Sequence, residues 1–319
     1  MGKTYEGGVP LAEVVRSEFV EGIHRGSVVV LDAAGATVAG AGDVTSPIFP
    51  RSASKPMQAI GMLRAGLTLT EPADVALVSA SHAGEQFHLE RVAALLHGAG
   101  LDESALHCPP DLPFGDDARV AVLRAGGGPT RIQMNCSGKH SGMLLTCLAA
   151  GWPLDRYWRP EHPLQQVLRA AVEEFTGEEA AAVGVDGCGA PVLAVSLTGL
   201  AGAFRRLVEG EPGTVERTVA DAMRAYPELV GGTRADDTRL MRGVPGLLAK
   251  VGAEGVFAAA VPGVGAVALK IDDGAVRARM PVLVSALRRL GVDAPVLAEY
   301  AELPQLGGGL PVGAVRAVW

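Results

Sequence analysis

Arg51-Ser52-Ala53-Ser54-Lys55-Pro56 is the stretch on which the reading of this chain turns. A serine three residues before a lysine at a helix start can become nucleophilic without histidine, because positions i and i+3 face the same way. The amine takes the hydroxyl proton only when neutral. Free lysine titrates near ~10.4, so burial or a second cation has to bring it toward neutrality. Pro56 fits a first helical turn and not a helix interior. Met57, Ile60 and Leu63 then recur at helical spacing, and Gly66 is a natural stop. The same residues also describe a plain helix start with a capping serine. The spacing alone does not separate the two.

The lysine inventory separates them better. Of 28 basic residues only five are lysine, namely Lys3, Lys55, Lys139, Lys250 and Lys270. Arginine stays protonated, whereas lysine can act as a base or a neutral ligand, so a chain that prefers arginine keeps lysine where arginine will not serve. Lys55 and Lys139 both sit among Ser, Cys, His and Gly, as a site would.

Length and composition set the bounds. A chain of 319 residues with 48% hydrophobic residues has ample material for a core. No apolar run reaches the ~18 residues of a spanning helix and no signal-peptide pattern is present, so the reading is a cytoplasmic protein without a membrane partner. A net charge of −7 with scattered arginine argues against nucleic acid. Cys108, Cys136, Cys147 and Cys188 are too few for a disulfide scaffold; they can bind metal, act chemically or pack. No repeat and no clean domain boundary is visible.

Taken in order, strands are expected at Glu13 to Val20, Ser27 to Leu31 and Thr37 to Ala41, with a turn at Asp32-Ala33-Ala34-Gly35. The continuous Val28-Val29-Val30-Leu31 run predicts a strand buried on both faces. Ser81, His82, Glu85 and His88 form a polar cluster before a helix over 86–98, which Ser81 and Glu85 could simply cap. Asn135 to Gly142 opens a further helix with small and polar residues, as a binding surface at a helix N-terminus does. The Gly-x-x-x-x-Gly-Lys spacing of a phosphate loop is absent. Helices are expected over 164–175, in two segments within 192–225 broken at Glu211-Pro212-Gly213, at Thr238 to Met241 and over 275–290. Tyr226 to Thr233 reads as a loop. Strands Val256 to Val261 and Gly265 to Ile271 flank a Pro262-Gly263 turn. Strands at both ends with helices between predict an α+β fold whose terminal segments share one sheet. Asp186 and Cys188, on a glycine-rich turn, can join Cys136 and a histidine, His140 for preference, in a Cys/Cys/Asp/His zinc site.

Six motifs occur in order: Arg51-Ser52-x-x-Lys55-Pro56, Ser81-His82-x-Gly84-Glu85, Asn135-Cys136-Ser137-Gly138-Lys139-His140, Asp186-Gly187-Cys188-Gly189-x-Pro191, Lys250-x-Gly252-Ala253-Glu254-Gly255 and Ala268-Leu269-Lys270. Together they resemble the class 3 L-asparaginases, the asparaginase II domain family. The resemblance runs over nearly the whole chain and implies a single catalytic domain over residues 1–319. The implied fold is serine β-lactamase-like, an antiparallel sheet flanked by helices, in a homodimer. It implies two Ser–Lys tandems, Ser52 with Lys55 and Ser81 with Lys270. It also implies one zinc per chain on Cys136, Lys139 and Cys188, with Asp186 near a metal-bound water and the metal modulating rather than essential. Arg51, His140, Asn135 and Glu85 would lie on the substrate side.

The implied reaction is hydrolysis of L-asparagine to L-aspartate and ammonia. Ser52 is the favoured nucleophile, because a helix N-terminus stabilises developing negative charge; an exchange of roles with Ser81 stays open. Two other readings stand beside it. One is another Ser–Lys amide hydrolase, a glutaminase or a penicillin-hydrolysing protein, although the Ser-Asp-Asn and Lys-Thr-Gly lactamase motifs are missing. The other is a non-catalytic zinc-holding protein that binds an amino acid.

Overall fold

A computed structural model describes residues 4–319, so Lys3 lies outside the described residues. Three strands come first, β1 Val9–Arg16, β2 Phe19–Asp32 and β3 Thr37–Ala41. Four short ones, β4 Pro47–Ile48, β5 Val183–Val185, β6 Pro191–Leu193 and β7 Val195–Ser196, form two small ladders, β4 with β7 and β5 with β6. The rest are β8 Leu248–Val251, β9 Val256–Val261, β10 Gly265–Ile271, β11 Glu302–Gly307 and β12 Leu310–Ala317. The main sheet is antiparallel in the order β11-β12-β1-β2-β10-β9-β8, with β3 also on β2. Chain ends therefore meet in one sheet, and the expected α+β architecture is the one observed.

β2 is long enough to serve two neighbours in turn. β1 pairs with it from Phe19 to Gly26, and β3 takes over at Val28 to Leu31 while β10 holds the opposite edge. Val28, Val29 and Val30 are consequently 0% exposed, as a continuous apolar run requires. The expected strand Glu13 to Val20 is broken in the middle. Ser17 and Glu18 take φ of 48° and 67° and turn the chain sharply between β1 and β2. No glycine marks that turn, so the sequence did not announce it. A second correction is the short helix Pro227–Val230 inside the expected loop Tyr226 to Thr233.

The helix Leu197–Glu209 packs on β2, β9 and β10, and the helix Val276–Arg289 packs on β1, β2, β10 and β12. Every residue of β9 is buried between such covers. Beside the sheet lies a helical layer centred on Lys55–Arg64, whose residues from Lys55 to Met62 are all buried. A helix buried on every side belongs inside a protein, and this one, polar over that stretch only at Lys55 and Gln58, packs against Pro163–Thr176, Val215–Ala225 and Ser137–Ala149. Gly138 lets the last of these in: a Cβ there would stand 2.6 Å from the Leu77 carbonyl oxygen. The approach brings Cys136, Lys139 and His140 beside the segment that ends in Ser81.

Candidate active site

Ser52 lies in a single 3-10 turn, Arg51–Ser54, that runs into the helix Lys55–Arg64. In a 3-10 turn residues i and i+3 eclipse, which sets Ser52 and Lys55 on one side. Arg51 takes φ of +53°, an uncommon conformation for a side-chain-bearing residue. Its guanidinium is held by Asp186, Nε to Oδ1 at 2.6 Å, and stands 3.9 Å from Glu254. Gly252 closes the turn from the sheet side, since a Cβ there would stand 2.4 Å from the Pro50 carbonyl oxygen. Ser52 is half-buried, and its backbone N–H donates to no acceptor among the described residues.

Behind this turn is a buried polar series. Lys55, 1% exposed, places Nζ 2.9 Å from Ser81 Oγ and 3.1 Å from Cys136 Sγ, and also donates to the Ala80 carbonyl. Its three protons are thereby directed away from Ser52. Lys250, 0% exposed, places Nζ 3.0 Å from the same Ser81 Oγ and 3.8 Å from Asp237. The Ser81 hydroxyl has two lone pairs and one proton, so it can accept from both amines, or accept from one and donate to the other once that amine is neutral. Burial pushes the Lys250 amine down to about 7; Asp237 opposes this and the Lys55 charge assists it. Lys250 is thus the member of the series able to accept a proton near neutrality. The Ser81 backbone N–H is already spent on the Val230 carbonyl at 2.9 Å.

The expected pairing of Ser81 with Lys270 does not form. Lys270 sits on β10, two strands in from β8, a separation of roughly 10 Å at ordinary strand spacing. Its amine is half-buried and donates to the Glu254 carbonyl at 2.9 Å. It lines a cavity of about 630 Å³ with Arg51, Glu254, Phe49 and Ile48, whereas Ser81 lines another of about 500 Å³ with Glu85, Asp237 and Thr233. Lys250 takes the place expected for Lys270. Lys270→Ala should therefore leave kcat for amide hydrolysis within about threefold of wild type, because Lys270 touches none of the clustered groups. A thousandfold loss with the fold intact would restore Lys270 to the chemistry.

Cys136, Lys139 and Cys188 come together as expected. All are 2% exposed or less, both thiols are free, and Lys139 Nζ is 3.1 Å from Cys188 Sγ. Coupling to Cys136 holds the Cys188 thiol well below its ordinary value against burial, with the Lys139 charge helping, and raises that of Cys136. Burial works to lower the Lys139 amine, but the charges of Cys188, Cys136 and Asp186 outweigh it and raise the amine instead. Two thiols with a third nitrogen donor are a soft set that suits zinc, and any metal entering here must displace the lysine proton. Among the described residues no three His, Cys, Asp or Glu side chains are placed to hold a metal. The Cys/Cys/Asp/His site expected from residue types is therefore corrected: those side chains are not placed together to hold a metal, and Asp186 is held by Arg51.

The remaining expected site residues have defined partners. Both Glu85 oxygens accept from Thr233, from its N–H and its hydroxyl at 2.7 Å each. Asn135 accepts from the Cys136 thiol at 3.0 Å through Oδ1 and from the His82 N–H through its carbonyl. His140 is 0% exposed with Nδ1 2.7 Å from the Tyr157 hydroxyl. Ser81 caps no helix: the N-cap position before Gln86–Gly98 is Glu85. Sequence reasoning gave Asp237 and Tyr157 no role, and neither carries a motif that would have drawn attention to it.

Three lysines buried to 2% or less around one serine–cysteine cluster are not explained by packing, because lysine is almost never fully buried unless paired. Residues 12–317 match the L-asparaginase II family. The chain belongs to that family. Its membership supports amidohydrolase chemistry on a small-molecule substrate. No curated protein sequence matches. Solved structures similar to the chain include Mglu in its native form, at 16% identity and a TM-score of 0.45, covering 84% of this chain and 64% of Mglu. The chain thus spans under two thirds of that protein's length. A β-lactamase from Mycobacterium bovis follows at 17% identity and 0.44, covering 83% and 94%. A simvastatin synthase mutant from Aspergillus terreus follows at 13% and 0.41, covering 92% and 93%. Likeness at these scores carries no activity across. No helix among the described residues is long and apolar enough to cross a membrane.

Proposed function

We propose that this L-asparaginase II family member hydrolyses L-asparagine to L-aspartate and ammonia, with Ser52 as nucleophile. The observation that carries the reading is the buried series Lys55–Ser81–Lys250 behind Ser52. Neutral Lys250 takes the Ser81 hydroxyl proton while Ser81 receives one from the Lys55 ammonium, which leaves Lys55 as a free amine. Lys55 then takes the Ser52 proton as Oγ bonds to the side-chain amide carbon. The unpaired Ser52 N–H at the helix start faces the charge that develops on the amide oxygen. Lys55 returns the proton to the departing nitrogen, so ammonia leaves and an ester to Ser52 remains. Water, deprotonated by the same amine, releases aspartate. Ser81 is the relay rather than the nucleophile, because its own N–H is engaged by Val230.

Arg51, His140, Asn135 and Glu85 would orient the substrate. Cys136, Lys139 and Cys188 would hold a zinc ion, which would supply a fixed positive charge for substrate affinity and site geometry. The purified protein should then carry about one zinc per chain, lost in Cys136→Ser or Cys188→Ser, and held less tightly as pH falls. Chelation should raise KM several-fold with a smaller loss of kcat, a reading overturned by metal-free enzyme with no turnover at saturating asparagine. The proposal as a whole is tested by ammonia release from asparagine, with glutamine and a chromogenic β-lactam beside it. Faster glutamine or lactam turnover would transfer the site to another amide, and silence on all three would leave a binding protein.

A further inference from the structure

The cavity of about 500 Å³ beside Ser81 has an acidic wall made by Glu85, Asp116, Asp117 and Asp237. Three of these carboxylates have partners or face water. Both Glu85 oxygens accept from Thr233, Asp117 pairs with Arg234 at 3.0 Å on the exposed rim, and Asp116 is exposed. Asp237 differs from them. It is 1% exposed, and its buried Oδ2 accepts no hydrogen bond among the described residues. The Lys250 amine stands 3.8 Å from that oxygen, beyond hydrogen-bond length, and in the reaction above it begins neutral. Arg279 is committed to the adjacent Asp236 at 3.3 Å. A buried carboxylate without a bonded partner is costly, so packing does not account for it. The backbone around it is built closely. A Cβ on Gly231 would stand 2.4 Å from Asp237 Oδ1, and one on Gly232, whose φ is +134°, would stand 2.8 Å from Glu85 Oε1.

We infer that Asp237 receives the α-ammonium group of the substrate, and so selects an amino acid over a plain acid amide. The inference rests on the amide-hydrolase reading above and adds a partner for the one substrate charge that needs an anion. An ammonium brings three N–H donors and a positive charge, the two things the Asp237 carboxylate lacks. Its place suits the reaction. Lys250 stands beside both Asp237 and the Ser81 hydroxyl, so an occupant at Asp237 lies next to the proton relay. Val251, also in the cavity lining, precedes the Gly252 that closes on the turn of Ser52. A cavity of this size takes a small amino acid. A charge-assisted bond in so buried a position is strong. A substrate without the amine leaves the carboxylate unpaired, which is how a polar site rejects an analogue.

The test compares kcat/KM for asparagine with that for succinamate, the same amide without its α-amino group, in wild type and in Asp237→Asn. Wild type should prefer asparagine by at least about a hundredfold. Asp237→Asn should cut that preference by about tenfold or more, slowing asparagine more than succinamate. An effect of Asp237 on Lys250 or on the fold would fall on both substrates alike and cancel in the ratio. A wild type with similar kcat/KM on the two amides overturns the inference, and this measurement needs no variant to fold. A folded Asp237→Asn protein that keeps the wild-type preference overturns it as well. Calorimetric binding of L-aspartate and L-glutamate against succinate and glutarate, in the same two proteins, reads the ammonium site without turnover. Wild type should bind at least one amino acid about tenfold or more tighter than the matching plain acid, and Asp237→Asn should lose that margin. A protein that hydrolyses no amide defeats the asparaginase reading while the binding margin decides the inference separately: amino acids bound no tighter than the plain acids overturn it.

Discussion

Ser52→Ala is expected to lower kcat for ammonia release from asparagine by a factor on the order of 10⁴, about 5.5 kcal/mol of barrier. The loss is this large because no other hydroxyl in the cluster can take over. Ser81 is held between two lysine amines and its backbone N–H is bonded to Val230, so the donor an attacking serine needs beside it is occupied. Lys55→Ala should cost about as much as Ser52→Ala, and the double variant little more, since groups acting as one unit are not additive. KM should move far less than kcat. The assignment is rejected if Ser52→Ala keeps more than a tenth of the wild-type rate, or if an acyl intermediate trapped at low pH maps to Ser81.

The fold was legible in the sequence where burial was complete. β9 and β10 were read to the residue, because β9 is apolar throughout, β10 is apolar but for Lys270, and a Pro262-Gly263 turn separates them. Helix Gln86–Gly98 was likewise read to its ends. Edge strands were harder. β11 alternates exposed and half-buried residues from Glu302 to Gly307, so no face of it is apolar enough to declare itself. β8 is only four residues long, and missing it had a consequence for the site. Lys250 was seen as part of a motif and given no role, while Lys270 was paired with Ser81. Which lysine reaches a serine 169 or more residues away depends on strand order, and strand order is a property of the whole sheet. Spacing along the chain carried the local facts: a serine and lysine on one turn, cysteines beside a lysine. It could not carry the register that sets β8 at the sheet edge against the turn holding Ser52.

That register makes Lys250 the group to test by pH. Its amine, held at about 7 by burial, has Asp237, Lys55, Cys136 and Arg279 as its titratable neighbours, and only the neutral form can receive the proton passed along from Lys55. Activity should therefore rise with pH through about 7 and level off above it. The folded value lies below that of the unfolded chain, so between about 7 and about 10 the unfolded chain binds the extra proton. This group's contribution to stability accordingly grows with pH over that window, and the full burden of a buried charge falls below it. Lys250→Ala should cut kcat by roughly 10²–10⁴, the range of a lost proton acceptor, and remove the acid limb from what activity remains. Lys250→Arg should not rescue it, because arginine keeps the charge and cannot shed the proton. An acid limb near 7 that persists unchanged in Lys250→Ala, at a rate near wild type, would show that the proton travels by another route and that Ser81 needs only Lys55.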